Sequence, residues 1–239
     1  MKNIKCVIEA RMGSKRLPGK SMKLINDKFR LIDFVILNAL NAKKLNRKNI
    51  FILTSDNKNN LKLIKYLKKR YNLKIIAGSE FNVFSRYKIF DDNKDYPILR
   101  LTGDNPFIDP LLIDNFIKTF KKSNVDYLTT RGMCHSKKWK IKSDFPKGIS
   151  LEIFSSKKLF KNRDNFNKKN CQFPTWFFYN KKHGVKVKKF CSFGNFRKFK
   201  SRRSFTIDTF KDLINVKKFI RMNKCKPGKN NFINFCNSL

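Results

Sequence analysis

Through the first 130 residues, short continuous apolar runs alternate with stretches whose apolar positions fall at helical spacing. Residues 4–10 are mostly apolar and stop at a polar loop, which predicts a strand. The loop over 11–23 is punctuated by Gly13, Pro18 and Gly19. Residues 31–42 place Leu31, Phe34, Val35, Leu37 and Leu40 at helical spacing. A β-branched and aromatic run at 50–54 predicts a second strand. Residues 61–71 read as an amphipathic helix with Leu61, Ile64 and Leu67 inward. A short third strand is expected at 74–77, a helical stretch at 83–90, and a strand at 98–101 running into Thr102-Gly103-Asp104. A helix over 111–120 has Pro110 in its first turn, where a missing N–H does no harm. Another strand is expected at 125–129.

Alternation of this kind predicts an α/β fold: a mostly parallel sheet with helices on both faces. Ligands of such sheets bind beyond the carboxyl ends of the strands. After residue 130 the pattern loosens. A strand is expected at 148–154, another at 205–207, and an amphipathic helix at 209–222; residues 157–203, rich in Lys, Phe and Asn, resist assignment. Residues 1–222 read as one domain. The tail over 223–239 contains Pro227-Gly228 and is expected to fray or dock loosely.

Composition adds bounds. Hydrophobic residues at 41% and aromatics at 14% supply a core, so the chain does not read as disordered. The formal net charge is +39. Such a field attracts polyanions, but the basic residues are spread over the whole chain with only small clusters, among them Lys68-Lys69-Arg70 and Arg202-Arg203. A compositional bias accounts for that spread better than a nucleic-acid-binding arm, while still favouring a substrate with several negative charges. Residues 190–205 interleave Phe with Lys and Arg. Aromatics of this kind can stack on single-stranded nucleic acid, yet buried packing is their usual use, and nucleic acid is not an expected partner. The six cysteines include no C-x-x-C and the chain has two histidines, which argues against a zinc site and for a reducing compartment. The first apolar run is too short for a signal peptide and none approaches a membrane span, so a cytoplasmic location with no membrane partner is expected.

Three polar segments carry candidate chemistry. Arg11-Met12-Gly13-Ser14-Lys15-Arg16-Leu17-Pro18-Gly19-Lys20 directly follows the first strand. Glycines let a backbone approach an anion closely, and Arg and Lys add fixed positive charge. The segment does not match the P-loop pattern. Arg100-Leu101-Thr102-Gly103-Asp104-Asn105-Pro106 closes a strand. Asp104 there could hold Mg²⁺, which prefers oxygen ligands, or could simply make a turn. Asp208, in Phe205-Thr206-Ile207-Asp208-Thr209, could be a second ligand or a helix cap.

Together these segments resemble the cytidylyltransferase family that makes CMP-activated sugars. The branch is that of spore-coat polysaccharide biosynthesis protein F, with CMP-ketodeoxyoctulosonate and CMP-acylneuraminate synthetases as relatives. Thr54-Ser55-Asp56, Gly78-Ser79-Glu80 with Arg86-Tyr87, Ile108-Asp109-Pro110, and Phe145-Pro146 with Gly148 and Glu152 extend the likeness to about residues 4–220. The resemblance implies a Rossmann-like nucleotide-diphospho-sugar transferase fold, with residues 131–205 containing an acceptor or dimerisation extension, and a homodimer. It implies transfer of CMP from CTP to a sugar acceptor, a 2-keto sugar acid in the nearest pattern, with Mg²⁺ as cofactor and release of pyrophosphate. Arg11, Lys20 and Asp104 would be catalytic. Arg11, Gly13, Ser14, Arg16 and Lys20 would bind the phosphates; Gly78, Ser79, Glu80 and Arg86 would lie near base and ribose; Arg100 and Thr102 would complete the nucleotide site. Asp104 and Asp208 would hold the metal.

Departures fall at Glu9, where the family usually has Gln, and at Lys147 and Ser150, where it usually has Asp. The family's His-Val-Thr-Pro-Tyr stretch stands here as Gln172-Phe173-Pro174-Thr175-Trp176. These changes bear on the acceptor half. They keep open two alternatives: a nucleotidyltransferase using a sugar 1-phosphate or another nucleotide, and a non-catalytic, polyanion-binding relative.

Overall fold

Strand β1 (Lys5–Glu9) buries Cys6, Val7 and Ile8 completely, which a strand between two others with both faces covered requires. The computed structural model describes residues 4–130, 145–167, 170–179, 184–192 and 204–238. Within them one sheet has seven strands: β1, β2 (Ile50–Ser55), β3 (Lys74–Gly78), β4 (Pro97–Thr102), β5 (Tyr127–Thr129), β6 (Glu152–Ser155) and β7 (Val187–Lys189). Their order is β3-β2-β1-β4-β6-β5-β7. Pairing is parallel except where β6 meets β4 and β5. The expected mostly parallel sheet is present.

Residue alternation divides the core into two layers. Cys6, Ile8, Ile52, Leu99, Leu101 and Ile153 face one side. There they meet α1 (Leu31–Leu40), α2 (Leu61–Tyr71), α3 (Pro110–Lys122), α5 (Phe210–Met222) and α6 (Asn231–Asn237). Val7, Leu53, Ile98, Tyr127 and Phe154 face the other side. That face is covered by short elements: the 3₁₀ segment Phe84–Phe90, α4 (Ser156–Lys161) and the 3₁₀ segment Trp176–Tyr179. Helical elements thus lie on both faces, with the longer ones on one.

Several sequence expectations are corrected. Leu61 does not point inward; it is exposed, and Leu63, Leu67 and Tyr71 form the buried stripe of α2 at spacing four. The helical stretch expected at 83–90 is present as the 3₁₀ segment Phe84–Phe90. The strand expected over 148–154 starts only at Glu152. Residues 205–207 are irregular, because their amides pair with loop carbonyls rather than with a strand: Phe205 N–H donates to Lys147 O and Ile207 N–H to Asp104 O.

The tail neither frays nor docks loosely. Its α6 buries Phe232, Ile233 and Cys236. Two buried side chains clamp it: Asp109 Oδ2 accepts from Ile233 N–H at 2.7 Å, and Asn38 Oδ1 accepts from Gly228 N–H at 2.7 Å. Phe190 and Phe205 pack in the core, Phe190 against Phe116 and Phe145, Phe205 against Phe107, Phe219 and Phe232. Phe193, Phe196, Phe199, His135 and His183 lie outside the described residues.

Candidate active site

The loop after β1 is folded on itself by its own backbone. Ser14 N–H and Gly19 N–H both donate to Met12 O at 2.9 Å, and Leu17 N–H donates to Ser14 Oγ at 3.3 Å. Asn60, fully buried, accepts from Met12 N–H at 2.8 Å and pins the loop to the start of α2. The amides of Gly13, Lys15 and Arg16 donate to nothing among the described residues. Arg11 is exposed and makes no ion pair there. Free amides next to Arg11, Lys15 and Arg16 are what an anion-binding loop presents.

Lys20 ends this loop and reaches the centre of the site. Its Nζ lies 2.8 Å from Asp104 Oδ2, 3.1 Å from Asp208 Oδ1 and 2.9 Å from Ile207 O. Asp104 follows β4, where Gly103 N–H donates to Glu9 O at 2.8 Å. Asp208 arrives from 104 residues further along and is brought in by backbone clamps at Asp104 O and Lys147 O. Gly148 makes the second clamp possible. Its φ is +98°, and a Cβ there would collide with the backbone of Phe205 and Thr206.

Three cations surround Asp208: Lys20, Arg16 at 3.0 Å and Lys147 at 3.5 Å. Burial pushes its carboxyl up, but these charges outweigh burial and hold it below the usual carboxylate range. Two carboxylates already gathered about one ammonium are a chemically suitable seat for Mg²⁺. That ion takes oxygen ligands and is commonly held by one or two carboxylates plus substrate phosphates. No group of three or more His, Cys, Asp or Glu suited to a metal occurs among the described residues, so substrate oxygens would fill the remaining positions.

On the other side of the loop stands the segment after β3. Arg86 is buried, and its guanidinium donates twice to Ser79 O, at 3.0 and 2.8 Å. Burial lowers its pKa, with Glu9 opposing and Arg11 reinforcing the shift. Arg86 thus shapes the turn at Gly78, Ser79 and Glu80. Ser79 Oγ accepts from Asn82 N–H at 3.0 Å. Glu80 Oε2 accepts from Asn57 Nδ2 at 2.7 Å, and its other oxygen lies over Gly13.

Arg100 lies elsewhere. It is buried on the second face of the sheet and donates to Glu9 Oε2 at 2.6 Å and to Glu152 Oε2. Tyr87 donates to Glu9, and Tyr127 and Thr175 donate to Glu152. With both forks of its guanidinium engaged by carboxylates, Arg100 is a strut beneath the site rather than a group offered to a nucleotide. Thr102 Oγ1 accepts from Asn105 Nδ2 at 2.7 Å and supports the turn that carries Asp104. Asn57 and Asn60 support the site from positions that composition and motif do not mark. Their visible signal was an Asn-x-x-Asn spacing at the start of α2, which reads equally as helix capping.

A family model described as cytidylyltransferase matches residues 5–230. Spore coat polysaccharide biosynthesis protein SpsF of Bacillus subtilis is 36% identical over 130 residues, covering 53% of each chain. The 8-amino-3,8-dideoxy-manno-octulosonate cytidylyltransferase of Shewanella amazonensis is 28% identical over 159 residues, 62% of this chain and 60% of that one. The chain therefore spans about half to three-fifths of the length of these relatives. In fold it resembles a cytidylyltransferase from Leptospira borgpetersenii serovar Hardjo-bovis, with a TM-score of 0.80 at 23% identity over 97% of this chain and 92% of that one. With a match over nearly its whole length, the chain belongs to the cytidylyltransferase family.

Proposed function

We propose that this chain transfers CMP from CTP to a sugar acceptor, a 2-keto sugar acid, and releases pyrophosphate for surface polysaccharide or glycan synthesis. The observation that carries the reading is the meeting of Lys20, Asp104 and Asp208 beside a loop with free amides. The relatives, a polysaccharide biosynthesis protein and a cytidylyltransferase of an octulosonate, support it.

In this reading the amides of Gly13, Lys15 and Arg16, with the side chains of Arg11, Ser14 and Arg16, hold the β- and γ-phosphates. Lys20 leaves the carboxylates for a phosphate oxygen. Asp104 and Asp208 would hold Mg²⁺, which when bound neutralises charge developing on the phosphates. Gly78, Ser79, Glu80 and Arg86 shape the base and ribose side. The acceptor hydroxyl oxygen bonds to the α-phosphorus, the bond from that phosphorus to the bridging oxygen breaks, and pyrophosphate departs. The hydroxyl proton passes to water. Positioning and charge neutralisation carry such chemistry. Lys147, 3.5 Å from Asp208, adds positive charge on the acceptor side and suits an acidic sugar. A homodimer working in the cytoplasm is part of the proposal. Among the described residues no helix is long and apolar enough to cross a membrane.

The test is pyrophosphate release with Mg²⁺, each of four nucleoside triphosphates, and a panel of 2-keto sugar acids and sugar phosphates. Release with CTP and a sugar acid is expected. Asp104→Asn and Asp208→Asn should each lower turnover by about 100-fold or more, the scale on which one charge-stabilising group acts. Release with another nucleotide, or with a sugar 1-phosphate instead, would replace the substrate assignment. Failure to bind CTP would overturn it.

A further inference from the structure

We propose that Lys20, Arg16 and Lys147 form a cation lock on Asp104 and Asp208, closing these carboxylates to a divalent cation until a triphosphate on the loop draws Lys20 and Arg16 away. The inference rests on the proposed function and adds an order of entry to it: the carboxylates take a metal only together with the nucleotide.

The lock is closed at both carboxylates. Lys20 Nζ lies 2.8 Å from Asp104 Oδ2, 3.1 Å from Asp208 Oδ1 and 2.9 Å from Ile207 O. An ammonium has three donors, and all three are engaged. The second oxygen of Asp208, Oδ2, meets Arg16 Nη2 at 3.0 Å and Lys147 Nζ at 3.5 Å. Both oxygens of Asp208 and one of Asp104 are therefore taken, by three positive charges against two negative. A divalent cation arriving alone needs such oxygens as ligands and meets a surplus of positive charge that repels it. The Lys20 side chain is only 14% exposed, so solvent ions screen the contest in part.

The loop is what opens the lock. Arg16 and Lys20 belong to the same loop whose Gly13, Lys15 and Arg16 amides donate to nothing among the described residues. An anion seated on those amides competes with the carboxylates for the two loop cations, and charge-assisted bonds to phosphate are as strong as those to carboxylate. Asp104 and Asp208 are then left with their negative charge and fewer partners. Lys147 differs from the other two. It stands outside the loop, and its backbone is fixed from another direction, its O accepting from Phe205 N–H at 2.7 Å. Its charge stays beside Asp208 and sets how weakly the empty site holds a metal. The coupling is reciprocal: the factor by which the triphosphate strengthens metal binding is the factor by which metal strengthens triphosphate binding.

The lock predicts that removing a cation creates metal affinity. The probe is Mn²⁺, which suits oxygen ligands, titrated into the full chain without nucleotide and read from the electron paramagnetic resonance signal of the free ion. Lys20→Ala should bind Mn²⁺ about 10- to 100-fold more tightly than wild type, the range for a lost hydrogen bond between charged groups. Lys147 is 65% exposed, so Lys147→Ala leaves the core intact, and it should gain about 3-fold or more, the upper range for an exposed ion pair. Adding Asp208→Asn to either variant should abolish the gain. Wild type saturated with CTP should hold Mn²⁺ more tightly than CTP alone does. Melting curves show whether each variant folds; if Lys20→Ala does not, Lys147→Ala decides. Unchanged Mn²⁺ affinity in a folded variant, a gain that survives Asp208→Asn, or a CTP complex no tighter for Mn²⁺ than CTP alone would overturn the lock and leave cytidylyl transfer standing. A wild-type chain that does not bind CTP would overturn the proposed function and this inference together.

Discussion

Lys20 is the residue on which the site turns. It joins the loop after β1 to two carboxylates 84 and 188 positions away. As a compact point charge on a flexible stem, lysine can move from carboxylate to phosphate as arginine, with its planar fork, does less readily. Lys20→Ala should weaken CTP binding by about 1–3 kcal/mol, the worth of a charge-assisted hydrogen bond. Calorimetry reads this directly, and unchanged affinity would remove Lys20 from the phosphate site. Arg100 gives the contrasting case. Its motif invited a ligand role, but Glu9 and Glu152 take both ends of its guanidinium. Glu9 stands where the family usually has Gln and contributes a full negative charge to that strut.

At the scale of elements, α6 shows how one buried carboxyl can anchor a chain end. Asp109 is fully buried beneath α6, accepts from Ile233 N–H, and has an Oδ1 with no hydrogen-bond partner among the described residues. Burial raises its pKa well above the ordinary value, and the amides of Ile233, Phe232 and Asn231 offset this only in part. The folded carboxyl thus keeps its proton at pH values where the unfolded chain, with a carboxyl near 3.9, has lost it. Ionisation opposes folding, and this group's contribution falls as pH rises from about 4 toward the folded value. Asp109→Asn removes the titration. The stability difference between wild type and variant, from urea midpoints between pH 4 and 8, should therefore shift against wild type as pH rises. Parallel curves would show that Asp109 ionises as it does in the unfolded chain.

For the whole molecule the dominant quantity is the net charge of +39. Spread over one chain, it repels itself, and self-repulsion destabilises a compact state. Salt shortens the screening length from about 30 Å at 0.01 M to about 8 Å at 0.15 M. The melting temperature should rise over that interval in NaCl, as read by calorimetric scans. A flat or falling melting temperature would mean that local ion pairs, such as those around Asp208, outweigh the global repulsion. The same field favours the approach of a triphosphate to a loop already lined with Arg11, Lys15 and Arg16.

The sequence by itself determined most local elements of the first 130 residues, though not the inward face of α2, where Leu61 is exposed. Runs of apolar residues gave six of the strands in place or nearly so. The glycine-rich basic loop and Asp104 were legible because each closes a strand. What it left undecided were meetings between distant segments. Strand order set β4 between β1 and β6, and so paired Arg100 with both glutamates. Backbone clamps at Lys147 and Asp104, permitted by the left-handed Gly148, brought Asp208 to Lys20 although residues 205–207 form no strand. The tail's helix was hidden because its anchors, Asn38 and Asp109, lie more than 120 residues upstream. Periodicity reports which side of an element is buried; only packing decides what is buried against it.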